Sequence, residues 1–170
     1  TATPNKKITV TTGWNGKQYV ATADKNGAWK LSVSTPEAGG PYSITFNDGS
    51  KKTLNNILIG ELWLCSGQSN MEMPMKGFKN QPVENANMDI LRSKNPNIRL
   101  FTVKRTSTFT PQTDVVGTWK EATPANVRDF SATAYFFGNQ LQQSLDIPVG
   151  LIHCSWSMSK IEAWMNKETL

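Results

Sequence analysis

The chain has 170 residues, 38% of them hydrophobic, and its 18 Lys and Arg outnumber 13 Asp and Glu to leave a net charge of +5. That is enough apolar side chain for the core of one ordinary domain, or of a small domain and part of another. The longest apolar runs, over 57–65 and 147–154, fall far short of the roughly 20 residues a membrane-spanning helix needs. The basic residues do not cluster. Lys6, Lys7, Lys51 and Lys52 are remote in sequence from Lys76, Lys79, Arg92 and Lys94, and no basic stripe alternates with stacking aromatics, which argues against nucleic acid as a partner. Two cysteines, Cys65 and Cys154, have neither metal-ligand spacing nor a disulfide framework and are expected to be packed thiols. The opening TATPNKK lacks the apolar core of a secretory leader.

Residues 8–56 read as antiparallel β structure. Stretches 8–11, 18–21, 29–33 and 42–46 alternate apolar and polar side chains, the pattern of strands with one wet face. Turn signals separate them at Trp14-Asn15-Gly16, Lys25-Asn26-Gly27, Ala38-Gly39-Gly40-Pro41 and Asn47-Asp48-Gly49. The spacing predicts a small, incomplete antiparallel β-sandwich over 1–56.

The pattern then changes. A buried strand is predicted over 57–65, a short helix over 83–92 and a second strand over 97–103, followed by an irregular loop carrying Pro111, Gly117 and Pro124. The stretch 130–145 places Ala134, Phe137, Leu141 and Leu145 at helical spacing behind Ser131 as a cap. A third buried strand is expected over 148–154 and another helix over 161–170. Strands alternating with helices through short joins predict a partial doubly wound parallel sheet over 57–170. The fold class is therefore α/β, flavodoxin-like in its second part.

The 57–65 strand feeds Gly67-Gln68-Ser69-Asn70, and a strand ending at a Gly-containing turn exposes its next side chains at the carboxyl edge of a sheet. Ser69 is thus a candidate nucleophile, with backbone N–H groups from Ser69 onward as candidate oxyanion donors. On spacing alone the signal is weak, and an ordinary turn or cap role is the usual outcome for such a serine. The stretch is not a G-x-S-x-G elbow, because Met71 stands at the second glycine position.

The block Gly60-Glu61-Leu62-Trp63-Leu64-Cys65-Ser66-Gly67-Gln68-Ser69-Asn70-Met71-Glu72-Met73-Pro74 closely resembles the first motif of the sialate O-acetylesterase family, a carbohydrate-esterase branch of the SGNH (GDSL-like) hydrolases. Phe130 to Gly138, Pro148 to Ile152 and Ile161 to Trp164 resemble that family's next helix, strand and turn. Gly27-Ala28-Trp29 and Gly39-Gly40-Pro41-Tyr42 resemble the β-sandwich that precedes its hydrolase domain. The resemblance makes Ser69 the acyl-accepting nucleophile. Gln68 stands where related SGNH enzymes carry Asp, and Asn70 completes the motif; both are read as shaping the turn and its oxyanion site, with plain turn hydrogen bonding as the alternative.

The departures from the family are informative. After Trp156 the family usually shows Gly-Gly-Thr or Gly-Gly-Ser, whereas this chain has Ser157-Met158-Ser159, whose side chains either narrow the substrate pocket or point away. Trp156 and Trp164 are candidate pocket walls, with a core position as the alternative. The family's Asp-x-x-His block is absent, and the sole histidine, His153, lies in the strand GLIHCSW, where satisfaction by hydrogen bonds is the expectation. The implied protein is an internal piece of a longer esterase whose remaining polypeptide supplies the catalytic His and Asp, so that these residues alone would turn over little. The resemblance further implies an O-acetylated carbohydrate as substrate, sialic acids first and acetylated xylan as the alternative, no metal or organic cofactor, and a periplasmic or extracellular location. The rival reading is a non-catalytic carbohydrate-binding module.

Overall fold

A computed structural model describes residues 1–166, 168 and 169, which form two compact units, residues 1–60 and 61–170. In the first unit, β1 (Lys7–Thr12), β2 (Gln18–Thr22), β3 (Gly39–Asn47) and β4 (Lys51–Ile59) make one antiparallel sheet in the order β2-β1-β3-β4. The alternation in β1 turns Ile8, Val10 and Thr12 inward, each almost fully buried. Ile8 and Val10 form the core with Ala23, and Trp29, Leu31, Val33, Ile44 and Phe46 close over it.

Two sequence expectations fail here for physical reasons. The strand expected over 29–33 does not form: the segment is irregular, and its three apolar side chains pack on the core without pairing to a neighbour. Alternation records one-sided burial, which an unpaired extended segment satisfies as well as a strand does. The layer opposite the sheet is therefore irregular chain, where a second sheet of a sandwich was expected. Conversely, β4 was not anticipated, since KKTLNNILI alternates poorly. It is held by its ladder with β3 across the expected Asn47-Asp48-Gly49 turn, where the Asn47 and Asp48 side chains accept from the N–H groups of Gly49 and Ser50. The single strand expected over 57–65 is in fact two, with Ile57 to Ile59 ending β4 and a new strand starting at Glu61.

The second unit runs β5 (Glu61–Gly67), α1 (Ser69–Glu72), α2 (Ala86–Leu91), β6 (Asn95–Thr102), β7 (Trp119–Ala122), α3 (Pro124–Val127), α4 (Ala132–Leu145), β8 (Val149–Ser155) and a 3₁₀ turn (Ile161–Trp164). The turn replaces the helix expected over 161–170, of which Lys167 and Leu170 lie outside the described residues. The sheet order is β5-β8-β6-β7. β5, β8 and β6 are parallel, but β7 runs antiparallel to β6, so the sheet is mixed rather than wholly parallel. β7 lies inside the stretch read as a loop, because a four-residue strand carries too little pattern to detect. Its Trp119 packs against Phe101 of β6, ring centroids 5.2 Å apart.

β8 is the central strand of the parallel set. Val149, Leu151, His153 and Ser155 are buried in strict alternation on the face covered by α4. That helix starts where expected: the Ser131 side chain accepts from the N–H of Ala134, satisfying one of the donors a helix leaves free at its N-terminus. It buries Ala132, Ala134, Tyr135, Gly138 and Gln142, one step round from the expected stripe, and Phe137 and Leu145 stay 41% and 48% exposed. Gly138 explains the shift. A Cβ there would come within 2.5 Å of the Leu151 side chain, so the helix meets the sheet at the glycine. Met75, Ile98, Leu100, Val127 and Phe130 complete the core. β5 pairs only with β8 among the described residues, and its Leu62 and Leu64 are 62% and 68% exposed instead of buried as expected.

Candidate active site

Ser69 is the first residue of α1, immediately beyond the carboxyl end of β5, and is exposed. The turn that presents it depends on Gly67. Its φ of +153° is one that L side chains rarely adopt, and a Cβ would come within 3.2 Å of Met71 Cβ. The first-turn N–H groups of α1 have no acceptor within the helix. The short helix is then tied to the start of α4. Thr133 Oγ1 donates to the Asn70 carbonyl at 3.0 Å, Ser131 Oγ donates to Met71 Sδ at 3.4 Å, and the Ala132 N–H donates to the Met73 carbonyl at 2.8 Å. A four-residue helix could not hold its shape alone, so this stitching fixes the serine.

Opposite it lies the segment 156–159, which leaves the end of β8. The Trp156 N–H donates to the Gly67 carbonyl at 3.1 Å, extending the β5–β8 pairing by one residue. Gln68 Nε2 donates to the Ser159 carbonyl at 2.6 Å, and the hydroxyls of Ser69 and Ser157 are 2.9 Å apart. Met158 sits at φ +60°, a left-handed backbone that favours glycine, at a position where the resemblance expected one. Its side chain is 91% exposed. Ser159 Oγ donates to the Trp156 carbonyl at 2.6 Å and accepts from Trp164 Nε1 at 2.8 Å. A cleft of about 680 Å³ runs along this segment, lined among others by Lys104, Arg105, Trp156, Ser157, Met158 and Trp164. Both tryptophans thus stand on the cleft, 42% and 41% exposed, and Ser69 borders it through Ser157.

Two residues that sequence reasoning missed organise this arrangement. Glu72, one helical turn after Ser69, accepts the Ser157 N–H at 2.5 Å through Oε2 and pairs with Arg105 Nη2 at 2.8 Å through Oε1. Arg105, just past the end of β6, also donates from Nε to the Ser155 carbonyl at 3.1 Å. A signal for Glu72 existed, since positions three apart on a helix share a face. None existed for Arg105, which is 33 residues further along the chain than Glu72.

The other reactive groups are held quiet. His153 is 7% exposed, its Nε2 lies 2.6 Å from Ser155 Oγ, and its ring stacks edge-on against Phe130. Burial holds its pKa below the ordinary 6.5, against the Met71 backbone, which opposes; the Arg105 charge pushes down and the Glu72 charge up by less. Ser155, and not Ser69, is its hydroxyl partner. Burial pushes the thiols of Cys65 and Cys154 up, so Cys154, which lines the cleft, stays protonated and weakly nucleophilic at neutral pH. Among the described residues no three His, Cys, Asp or Glu side chains converge as metal ligands would, and no helix is long and apolar enough to cross a membrane.

Ser69 thus stands exposed at the carboxyl edge of a mixed α/β sheet, with an aromatic-walled cleft beyond Ser157. A sequence profile described as "Carbohydrate esterase, sialic acid-specific acetylesterase" matches residues 59–170, and the chain belongs to that family. It is 28% identical to the sialate O-acetylesterase of Pongo abelii and 27% identical to that of Rattus norvegicus, over 99% and 91% of this chain. Its fold is similar to that of the crystal structure of a novel carbohydrate acetylesterase from Xanthomonas citri, with a TM-score of 0.91 and 34% identity over 99% of this chain. The chain spans 35% and 30% of the lengths of the two sialate O-acetylesterases and 38% of the Xanthomonas chain.

Proposed function

We propose that these residues carry the nucleophile half of a serine carbohydrate O-acetylesterase of the SGNH type, with O-acetylated sialic acids as substrate. The observation that supports this most directly is the placement of Ser69: exposed beyond the end of β5, pinned by α4, and 2.9 Å from a hydroxyl on the wall of an aromatic-lined cleft. Ser69 Oγ attacks the acetyl carbonyl. A histidine takes the serine proton and returns it to the sugar oxygen as that bond breaks, leaving an acetyl-enzyme. Water, activated by the same base, then releases acetate.

His153 is not that base, because it is buried against Ser155. We assign the catalytic His and its acidic partner to polypeptide outside residues 1–170. The Ser69 N–H, with Gln68 and Asn70 shaping the turn, receives the developing oxyanion. Trp156, Ser157, Met158 and Ser159 border the sugar. An exported protein, periplasmic or extracellular, accords with the family resemblance.

The test is acetate release by the full-length polypeptide that contains these residues, using O-acetylated sialic acid and acetylated xylan. The expected result is faster release from the sialic acid and a loss of at least about 1,000-fold in kcat for Ser69→Ala. Release unchanged in Ser69→Ala would overturn the nucleophile. Hydrolysis of p-nitrophenyl acetate at enzyme-like rates by residues 1–170 alone, abolished by Ser69→Ala, would overturn the external base. Preference for xylan would overturn the sialic acid assignment.

A further inference from the structure

We propose that Glu72 and Arg105 form a positioning pair that holds the 156–159 segment against the Ser69 turn, an inference that rests on Ser69 being the nucleophile. The two oxygens of Glu72 divide the work. Oε2 takes the Ser157 N–H at 2.5 Å, and Oε1 takes Arg105 Nη2 at 2.8 Å. Arg105 is itself braced by its Nε bond to the Ser155 carbonyl. One carboxylate therefore joins three chain segments at the same sheet edge: the helix that starts with Ser69, the segment after β6, and the segment after β8.

The geometry has a chemical consequence. With its N–H committed to Glu72, Ser157 is not a free oxyanion donor. Its backbone is instead fixed at a height that sets its hydroxyl 2.9 Å from Ser69 Oγ, which restrains the rotamer of the attacking serine and the wall of the cleft together. The Glu72 side chain is only 15% exposed, so its bonds are charge-assisted and poorly competed by water. Arg105 neutralises it. Without Arg105, a largely buried carboxylate would be left with one N–H donor and would draw toward solvent. Without Glu72, Ser157 loses its anchor and Arg105 keeps only a carbonyl. The nucleophile's alignment is what such a loss degrades, since displacements of about 1 Å cost on the order of 100-fold in rate.

The experiment measures kcat and KM for acetate release by the full-length polypeptide and its Glu72→Ala, Glu72→Gln, Arg105→Ala and Glu72→Ala/Arg105→Ala variants, with Ser69→Ala alongside. Glu72→Ala is expected to lower kcat about 10- to 100-fold with KM within about threefold of the parent. Glu72→Gln keeps an oxygen for the Ser157 N–H and is expected to recover part of that loss. The double variant is expected to be no slower than Glu72→Ala, because the two residues act as one unit. Rates for Glu72→Ala and Glu72→Gln within about twofold of the parent, or Glu72 and Arg105 losses that multiply, would overturn the pair. If Glu72→Ala does not fold, Glu72→Gln and Arg105→Ala carry the test, and parental kcat in both overturns it. If Ser69→Ala retains the parental rate, the nucleophile assignment fails, a result distinct from failure of the pair.

Discussion

At the scale of single residues, the second unit sorts its reactive groups by burial. Ser69 is exposed, whereas His153, one residue before Cys154 on the central strand, is enclosed with its Nε2 on Ser155. Its pKa is held below the ordinary 6.5 by burial, which outweighs the opposing Met71 backbone, with smaller and opposite effects from the Arg105 and Glu72 charges. A histidine whose folded pKa lies below its unfolded value binds fewer protons in the folded state, so stability is full above about pH 6.5 and falls as the pH drops toward the folded pKa. Urea midpoints taken from pH 7.5 to 5.5 should therefore decline, and His153→Gln, which keeps a polar partner for Ser155 without titrating, should flatten that decline. An equal slope in the variant would remove His153 as its source. The exposed turn at Ser69 was legible as an apolar run ending at a glycine, while its reading as a nucleophile came from the resemblance of the block Gly60 to Pro74. Glu72 carried only a local signal, three residues after Ser69 on one helix, and Arg105 carried none, because a clamp between segments distant in sequence leaves no periodicity to read.

At the scale of elements, α4 and β8 carry the site. β8 ends in the segment that faces Ser69, and α4 seats that strand while its N-terminal residues hold α1. Their contact depends on Gly138, where a Cβ would come within 2.5 Å of Leu151. Gly138→Ala gains about 1 kcal/mol of helix propensity but should lose about 1–3 kcal/mol to overpacking, so a lowered Tm is expected; a raised Tm would show that the helix can back away freely. The start of α4 was legible, since the Ser131 cap is a local signal. Its buried face was legible only in part: Ala134 is buried and Leu141 packs on the core as the expected stripe has it, but Phe137 and Leu145 stay exposed and the sheet takes Gly138 and Gln142 instead. The same limit governed the first unit. Trp29, Leu31 and Val33 alternate as a strand does, yet they cap a core without pairing, and β4 pairs without alternating. Pattern reports burial, and pairing is decided by neighbours the pattern does not contain.

At the scale of the whole molecule, the chain divides into a unit built on an antiparallel sheet, residues 1–60, and a mixed α/β unit, residues 61–170. The parallel core of the second sheet was readable from three short apolar strands, while its antiparallel edge was too short to see. Chain length sets the functional question. These residues span 30% to 38% of the relatives compared, and His153 is the only histidine among them. The proposed chemistry therefore assigns the nucleophile to this chain and the base elsewhere. The most direct test of that account is covalent labelling of the full-length polypeptide with a serine-directed fluorophosphonate, with the modified residue located by peptide mass spectrometry. The account predicts one label on Ser69, lost in Ser69→Ala; a label of equal intensity persisting in Ser69→Ala, or found on another serine, would contradict it.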